Sequence, residues 1–126
     1  MIVVLGGSSS LGKKLIPLLA KKNKVLCIYN SHKPAIKKKN IKYIKLDFED
    51  LKFKISSGNQ IFKDMSKEKI VLINFASIKI DRLSLFVNDE EINKTFKINF
   101  FSFFRFIKLV LPNMIRKKWG RIINIS

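Results

Sequence analysis

Five short apolar runs, set apart by helix-like stretches, constrain this chain more than any other feature. Ile2–Leu5, Val25–Tyr29, Ile41–Lys45, Ile70–Phe75 and Arg121–Ile125 read as β-strands. The first, fourth and fifth are nearly unbroken apolar runs, as expected of strands buried on both faces of a parallel sheet. A first helix is predicted from Ser10 to about Lys21-Lys22-Asn23, with Leu11, Leu15, Leu18 and Leu19 facing the sheet and Pro17 kinking it. Residues 30–40, with Pro34 inside, leave no room for a long crossover helix between the second and third strands. A further helix is expected within Lys52–Lys69, after Ser56-Ser57-Gly58. One long helix is expected over Glu90–Met114, carrying Phe96, Phe100, Phe103, Phe104, Ile107 and Leu111. Strands alternating with helices make an α/β, doubly wound parallel sheet. No repeat or linker divides residues 1–126, so the chain is read as one domain.

Composition narrows the function classes. An apolar fraction of 47% excludes a disordered chain. The single cysteine, Cys27, permits no internal disulfide and points to a reducing cytoplasm. The start "MIVVLGG" lacks the basic region and cleavage site of a signal peptide. The most apolar segment, Ile98–Ile115, is interrupted by Arg105, Lys108, Pro112 and Asn113, so no membrane span is expected. The net charge of +17 comes mostly from lysines spread along the chain in pairs and triples. Spread in this way they read as a solvated surface, not as a nucleic-acid face. His32 has no Cys or His at ligand spacing, so no metal site is expected.

The chemistry begins where the first strand meets the first helix, in "IVVLGGSSSLGKKL". Small residues between a buried strand and a helix N-terminus make a site for an anion. Two loops can be read there. Gly7-x-x-x-x-Gly12-Lys13 is close to a P-loop, but a P-loop needs Ser or Thr after its lysine to ligate Mg²⁺, and Lys14 stands there. Gly6-x-x-x-Ser10-x-Gly12 is instead close to the phosphate loop of a dinucleotide-binding Rossmann domain.

Three more stretches join this loop: "LDFED" after the third strand, "INFAS" after the fourth, and "INKTFKINFFSFFRFIKLVLPNMIRKKWGRIINIS". Together they resemble the short-chain dehydrogenase/reductase family along the whole chain. The family loop is Thr-Gly-x-x-x-Gly-x-Gly, and Leu5, Gly6, Ser10 and Gly12 occupy its four defined places. Asp47 stands in the family's Leu-Asp-x-x-Asp. Asn74 and Ala76 match Asn-Asn-Ala-Gly, while Phe75 and Ser77 depart from it. Asn99, Leu111-Pro112-Asn113-Met114, Lys117-Lys118, Gly120-Arg121-Ile122 and Ser126 follow the family's long helix and fifth strand in order.

The resemblance implies a Rossmann-type sheet of about five strands in order 3-2-1-4-5 and a nicotinamide cofactor across the carboxyl ends of the first and fourth strands. It places cofactor contacts at Gly6, Ser8, Ser9, Ser10, Leu11, Gly12, Asn30, Ser31, Asp47, Phe48, Asn74, Phe75, Ala76 and Ser77. It gives Asn99 a catalytic part, kinking the long helix and holding a water in the proton relay. The second strand ends in Tyr29-Asn30-Ser31-His32-Lys33 with no acid, which favours NADP over NAD. The substrate implied is a small carbonyl or alcohol, and family members commonly dimerise through the long helix. The family's Tyr-x-x-x-Lys pair does not occur before Ser126. The chain is therefore expected to be the N-terminal, truncated part of an oxidoreductase, able to bind cofactor at best. A non-catalytic Rossmann module for nucleotide or protein binding is the alternative.

Overall fold

The computed structural model describes residues 1–50 and 60–125. Its strands are β1 (Ile2–Leu5), β2 (Val25–Tyr29), β3 (Ile41–Lys45), β4 (Val71–Asn74) and β5 (Arg121–Asn124). All pair in parallel, in the order β3-β2-β1-β4-β5. The chain steps outward from β1 in both directions, so β1 and β4 flank the point where the winding reverses. At that point the loops leaving two neighbouring strands diverge and open a crevice.

Helices cover both faces. Helix α1 (Ser10–Leu19) lies on one side, where Ile16 and Ala20 pack against Val4, Val25 and Cys27. On the other side lie α2 (Gln60–Lys67) and the long helical run of α3 (Asp89–Phe96), a π-helical segment (Lys97–Ser102) and α4 (Phe103–Arg116). The row Ile98, Ser102, Phe106, Val110 and Met114 is buried at steps of four residues. By length and composition alone Asp89–Arg116 could cross a membrane, but this row seats it on the sheet as a core helix.

The structure differs from the expectations in four places. Helix α1 ends at Leu19 and runs through Pro17. Leu11 and Leu18 are exposed, and Ile16 is the fully buried side chain. A helix facing a sheet of short strands buries a narrow stripe, and Gly12, Ile16 and Ala20 form it. β5 is exposed along its whole length rather than buried on both faces, because it has a strand neighbour on one side only. β2, not among the strands expected to be buried on both faces, is buried nearly throughout, as β1 is. The long helix is not uniform, since its middle is π-helical. The start of the helix predicted within Lys52–Lys69, with its Ser56-Ser57-Gly58 punctuation, lies outside the described residues.

Candidate functional site at the carboxyl edge of the sheet

Because every strand runs the same way, the loops after β3, β2, β1 and β4 emerge side by side on one edge in that spatial order. Asp47, Asn30, Gly6 and Asn74 therefore come together, although they are far apart in sequence. The geometry is tightest between the β1 and β4 loops. Gly6 has a φ of +73°, a conformation that costs a residue with a Cβ. A Cβ there would lie 2.5 Å from the Ala76 backbone nitrogen. The Gly6 and Gly7 amides both donate to the Ile28 carbonyl, at 2.9 and 3.1 Å, which pins the turn to β2 as well.

The turn then opens into α1. Ser9 is the N-cap, its hydroxyl accepting from the Gly12 amide at 3.0 Å. A Cβ on Gly12 would meet the Gly7 carbonyl oxygen at 2.9 Å, so helix and turn are in direct backbone contact. The Ser10 and Leu11 amides, in the first helical turn, have no acceptor within the helix and face the edge beside the half-buried Ser8. A loop held this close, with free amides at a helix N-terminus, fits a pyrophosphate.

The flanking residues are placed as follows. Asp47 is exposed, and one of its carboxylate oxygens accepts from the Glu49 amide at 2.9 Å, forming a local turn. Phe48 turns its ring into the core, so any contact it makes to a ligand is through its backbone. Asn30 is half-buried, and the exposed Ser31 hydroxyl lies 3.0 Å from His32 Nδ1. Lys33 holds its ammonium 5.1 Å from the Tyr43 ring centre, on the β2–β3 side of the edge. Asn74, almost fully buried, donates to Asn124 Oδ1 at 2.8 Å and accepts from the Ala76 amide at 3.1 Å. It braces β4 to β5 and shapes the "INFAS" turn with one side chain. Phe75 is buried on the α1 side and Ala76 on the other, and Ser77 is exposed.

Asn99 lies in the π-helical segment of the long helix. Its side chain is already engaged. Oδ1 accepts from the Ile78 amide at 2.8 Å, and Nδ2 donates to the Ile78 carbonyl at 2.9 Å. The carboxamide thus fastens the chain after β4 to the long helix, and one Nδ2 proton remains for a water. Nothing in sequence marked Ile78 as its partner. The ion pair of Glu49 with Lys94 at 2.8 Å, joining the Asp47 turn to α3, was equally invisible. That carboxylate, bonded to the Lys94 ammonium, raises the lysine's pKa. No group of residues able to hold a metal ion occurs among the described residues.

Cys27 sits under the phosphate loop, its sulfur filling the space where a Cβ on Gly7 would go. Burial pushes its thiol up to about 12. At about pH 8 this leaves the thiolate fraction roughly a thousandfold below that of a free cysteine. Iodoacetamide should therefore leave the folded protein unmodified and alkylate Cys27 only once denaturant opens the chain. Rapid labelling under native conditions would show that the loop does not rest on a buried sulfur.

Comparison with known proteins identifies the family. The short chain dehydrogenase family model matches residues 1–126. The chain is 31% identical over 130 residues to a 3-oxoacyl-[acyl-carrier-protein] reductase (FabG) of Buchnera aphidicola, covering 98% of this chain and 53% of that protein. It is 30% identical over 129 residues to a 3-ketodihydrosphingosine reductase of Bacteroides thetaiotaomicron, covering 100% of this chain and 46% of the relative. The chain thus spans about half the length of the curated relatives it matches. A short chain dehydrogenase of Leptospira borgpetersenii with bound NAD+ superposes with a TM-score of 0.79 at 23% identity, over 98% of this chain and 49% of that one. ElxO with NADP bound gives 0.76 at 23% identity, over 99% and 54%. Matched by the family from its first residue to its last, the chain belongs to the short-chain dehydrogenase family.

Proposed function

We propose that this chain is the cofactor-binding part of an NAD(P)-dependent oxidoreductase, working on a carbonyl or alcohol substrate in the cytoplasm. The observation that carries the reading is the backbone contact of the Gly6 turn with Ala76, which sets a glycine-lined loop with free helix amides at the switch point of the sheet. When bound, the nicotinamide supplies hydride transfer. The chain's own residues cradle the pyrophosphate through the Ser8–Gly12 turn and leave room for the ribose at Ala76. Asp47 offers its exposed carboxylate to the adenine amino group. Asn99 keeps the segment after β4 in place against the long helix.

NADP(H) is preferred over NAD(H) in this reading. Asn30 and Ser31 bring no carboxylate to repel a 2′-phosphate, and Lys33 provides a cation close by. Fluorescence titration with NADPH and NADH tests both levels. NADPH should bind several-fold more tightly, and Lys33→Glu should remove the difference. Tighter NADH binding would refute the preference, and no binding of either would refute the cofactor reading.

The same proposal gives the chain no turnover alone and a second copy as its partner. Phe96, Phe100, Phe104, Leu111 and Ile115 form an exposed stripe along the long helix, with the Phe100 and Phe104 rings stacked 6.1 Å apart. Soluble monomers rarely expose a continuous apolar patch of this kind. Sedimentation at micromolar concentration should show dimers or larger species, and Phe100→Glu with Phe104→Glu should shift them toward monomer. A wild-type monomer would remove the self-association. An open reading frame running past Ser126 into Tyr-x-x-x-Lys would favour the enzyme; cofactor binding without such a continuation favours the non-catalytic module.

A further inference from the structure

Lysines that look dispersed along the sequence are gathered by the fold. In a parallel sheet every connection from a helix back to a strand arrives at the amino ends of the strands, and these connections hold every lysine pair and triple except Lys13-Lys14. Lys21, Lys22 and Lys24 lead into β2. Lys37, Lys38 and Lys39 lead into β3, whose second residue is Lys42. Lys67 and Lys69 lead into β4, and Arg116, Lys117 and Lys118 lead into β5, which starts at Arg121. All of these side chains are exposed.

The acids are sorted the opposite way. Of nine acidic residues, only Asp64 and Glu68 reach this edge, and they are paired with Lys42 at 3.2 Å and Lys24 at 2.7 Å. The others follow the carboxyl ends of β3 and β4 or open α3. A helix C-terminus favours a cation or two through its dipole. The cations at the strand entries exceed that need.

We propose that this amino-end edge is a binding surface for single-stranded nucleic acid, on the side of the sheet opposite the cofactor edge. The expectation that the lysines form only a solvated surface rested on their spacing in sequence, which the fold does not preserve. Five strands at about 4.8 Å spacing make the edge roughly 20 Å long, a basic row suited to a linear polyanion. A cleft of about 470 Å³ opens in it, with Val25 and Leu26 in its wall; Lys39 and Lys67 stand at its rim beside the ion pairs of Lys24 with Glu68 and Lys42 with Asp64. This pairing of charge with a recessed apolar surface suits a sugar-phosphate strand with its bases, whereas a flat bilayer could not enter it. Farther along, the charged groups of Lys69 and Arg121 lie over the Trp119 ring, 5.7 and 5.4 Å from its centre. Helices end at this edge rather than project from it, so nothing is offered to the major groove of a duplex.

The test is fluorescence anisotropy of a labelled oligo(U) with the full chain at about 0.15 M salt. Wild type should bind in the micromolar range, that of sequence-independent contacts to phosphates. Lys21→Glu, Lys22→Glu, Lys39→Glu and Lys117→Glu together should weaken binding by roughly two orders of magnitude and lower the log–log salt slope by about 3. A control with the same change in net charge, Lys14→Glu, Lys45→Glu, Lys97→Glu and Lys108→Glu, should change affinity less than about threefold. Circular dichroism and melting curves establish that both variants are folded; if the first is not, the same four positions are changed to alanine. Absence of wild-type binding, or equal losses in both variants, would overturn the proposal. So would capture by phosphatidylserine vesicles with no affinity for oligo(U), which would make the face a lipid contact.

Discussion

Gly6→Val is expected to abolish cofactor binding, raising Kd for NADPH by at least about a hundredfold. Two separate costs act at the one position. The φ of +73° is strained for any residue with a Cβ, and most of all for a β-branched one. The added atom would also meet Ala76 N, Ala76 Cα and the Phe75 carbonyl carbon at 2.5 to 2.7 Å, all of them backbone that cannot step aside. The β1 and β4 loops must then separate, and the crevice between them is the proposed cofactor site. Gly12→Val should act similarly by lifting α1 off the turn, since its Cβ would meet the Gly6 and Gly7 carbonyl oxygens at 3.0 and 2.9 Å. Lys13→Ala should change Kd less than about threefold, because Lys13 is exposed and only its backbone amide is used, bonding the Ser9 carbonyl at 2.9 Å. Comparable losses from Gly12→Val and Lys13→Ala in the same titration would restore the P-loop reading, in which the lysine is indispensable.

Phe106→Ala should destabilise the chain by about 3–5 kcal/mol, the usual range for deleting a buried aromatic ring. Phe106 is fully buried on α4, in a cluster with Val3, Leu5, Leu72 and Val110. It is the largest side chain fixing the long helix to the central strands. With total stabilities of about 5–15 kcal/mol for a domain, such a loss leaves the chain close to unfolding at room temperature. Phe104→Ala, two residues away but 49% exposed, should cost less than about 1 kcal/mol. Urea midpoints measured on both variants would check the contrast. Similar shifts would mean that α4 is not held on the sheet by this one face.

Every strand and the phosphate loop were legible in the sequence because each is local. A buried strand needs a run of apolar residues, and a tight turn into a helix needs small residues followed by an N-cap. The bounds of β1, β2 and β3 agree with the reading to the residue, and β4 and β5 to within one residue at either end. The resemblance carried the order of the sheet and the gathering of Gly6, Asp47 and Asn74 on one edge, which composition and periodicity could not supply.

Tertiary structure alone decided what depends on neighbours. β5 reads as a core strand by composition yet is exposed, because edge position, not hydrophobicity, sets its burial. The Leu11 and Leu18 side chains point away from the sheet because its surface accepts only the Gly12–Ile16–Ala20 stripe of α1. The Asn99 carboxamide is committed to Ile78, 21 positions earlier, by a meeting of two segments that no local pattern announces. The lysines tell the same story in reverse. Scattered over the chain, half of them meet on one edge because parallel strands bring every return connection to the same end.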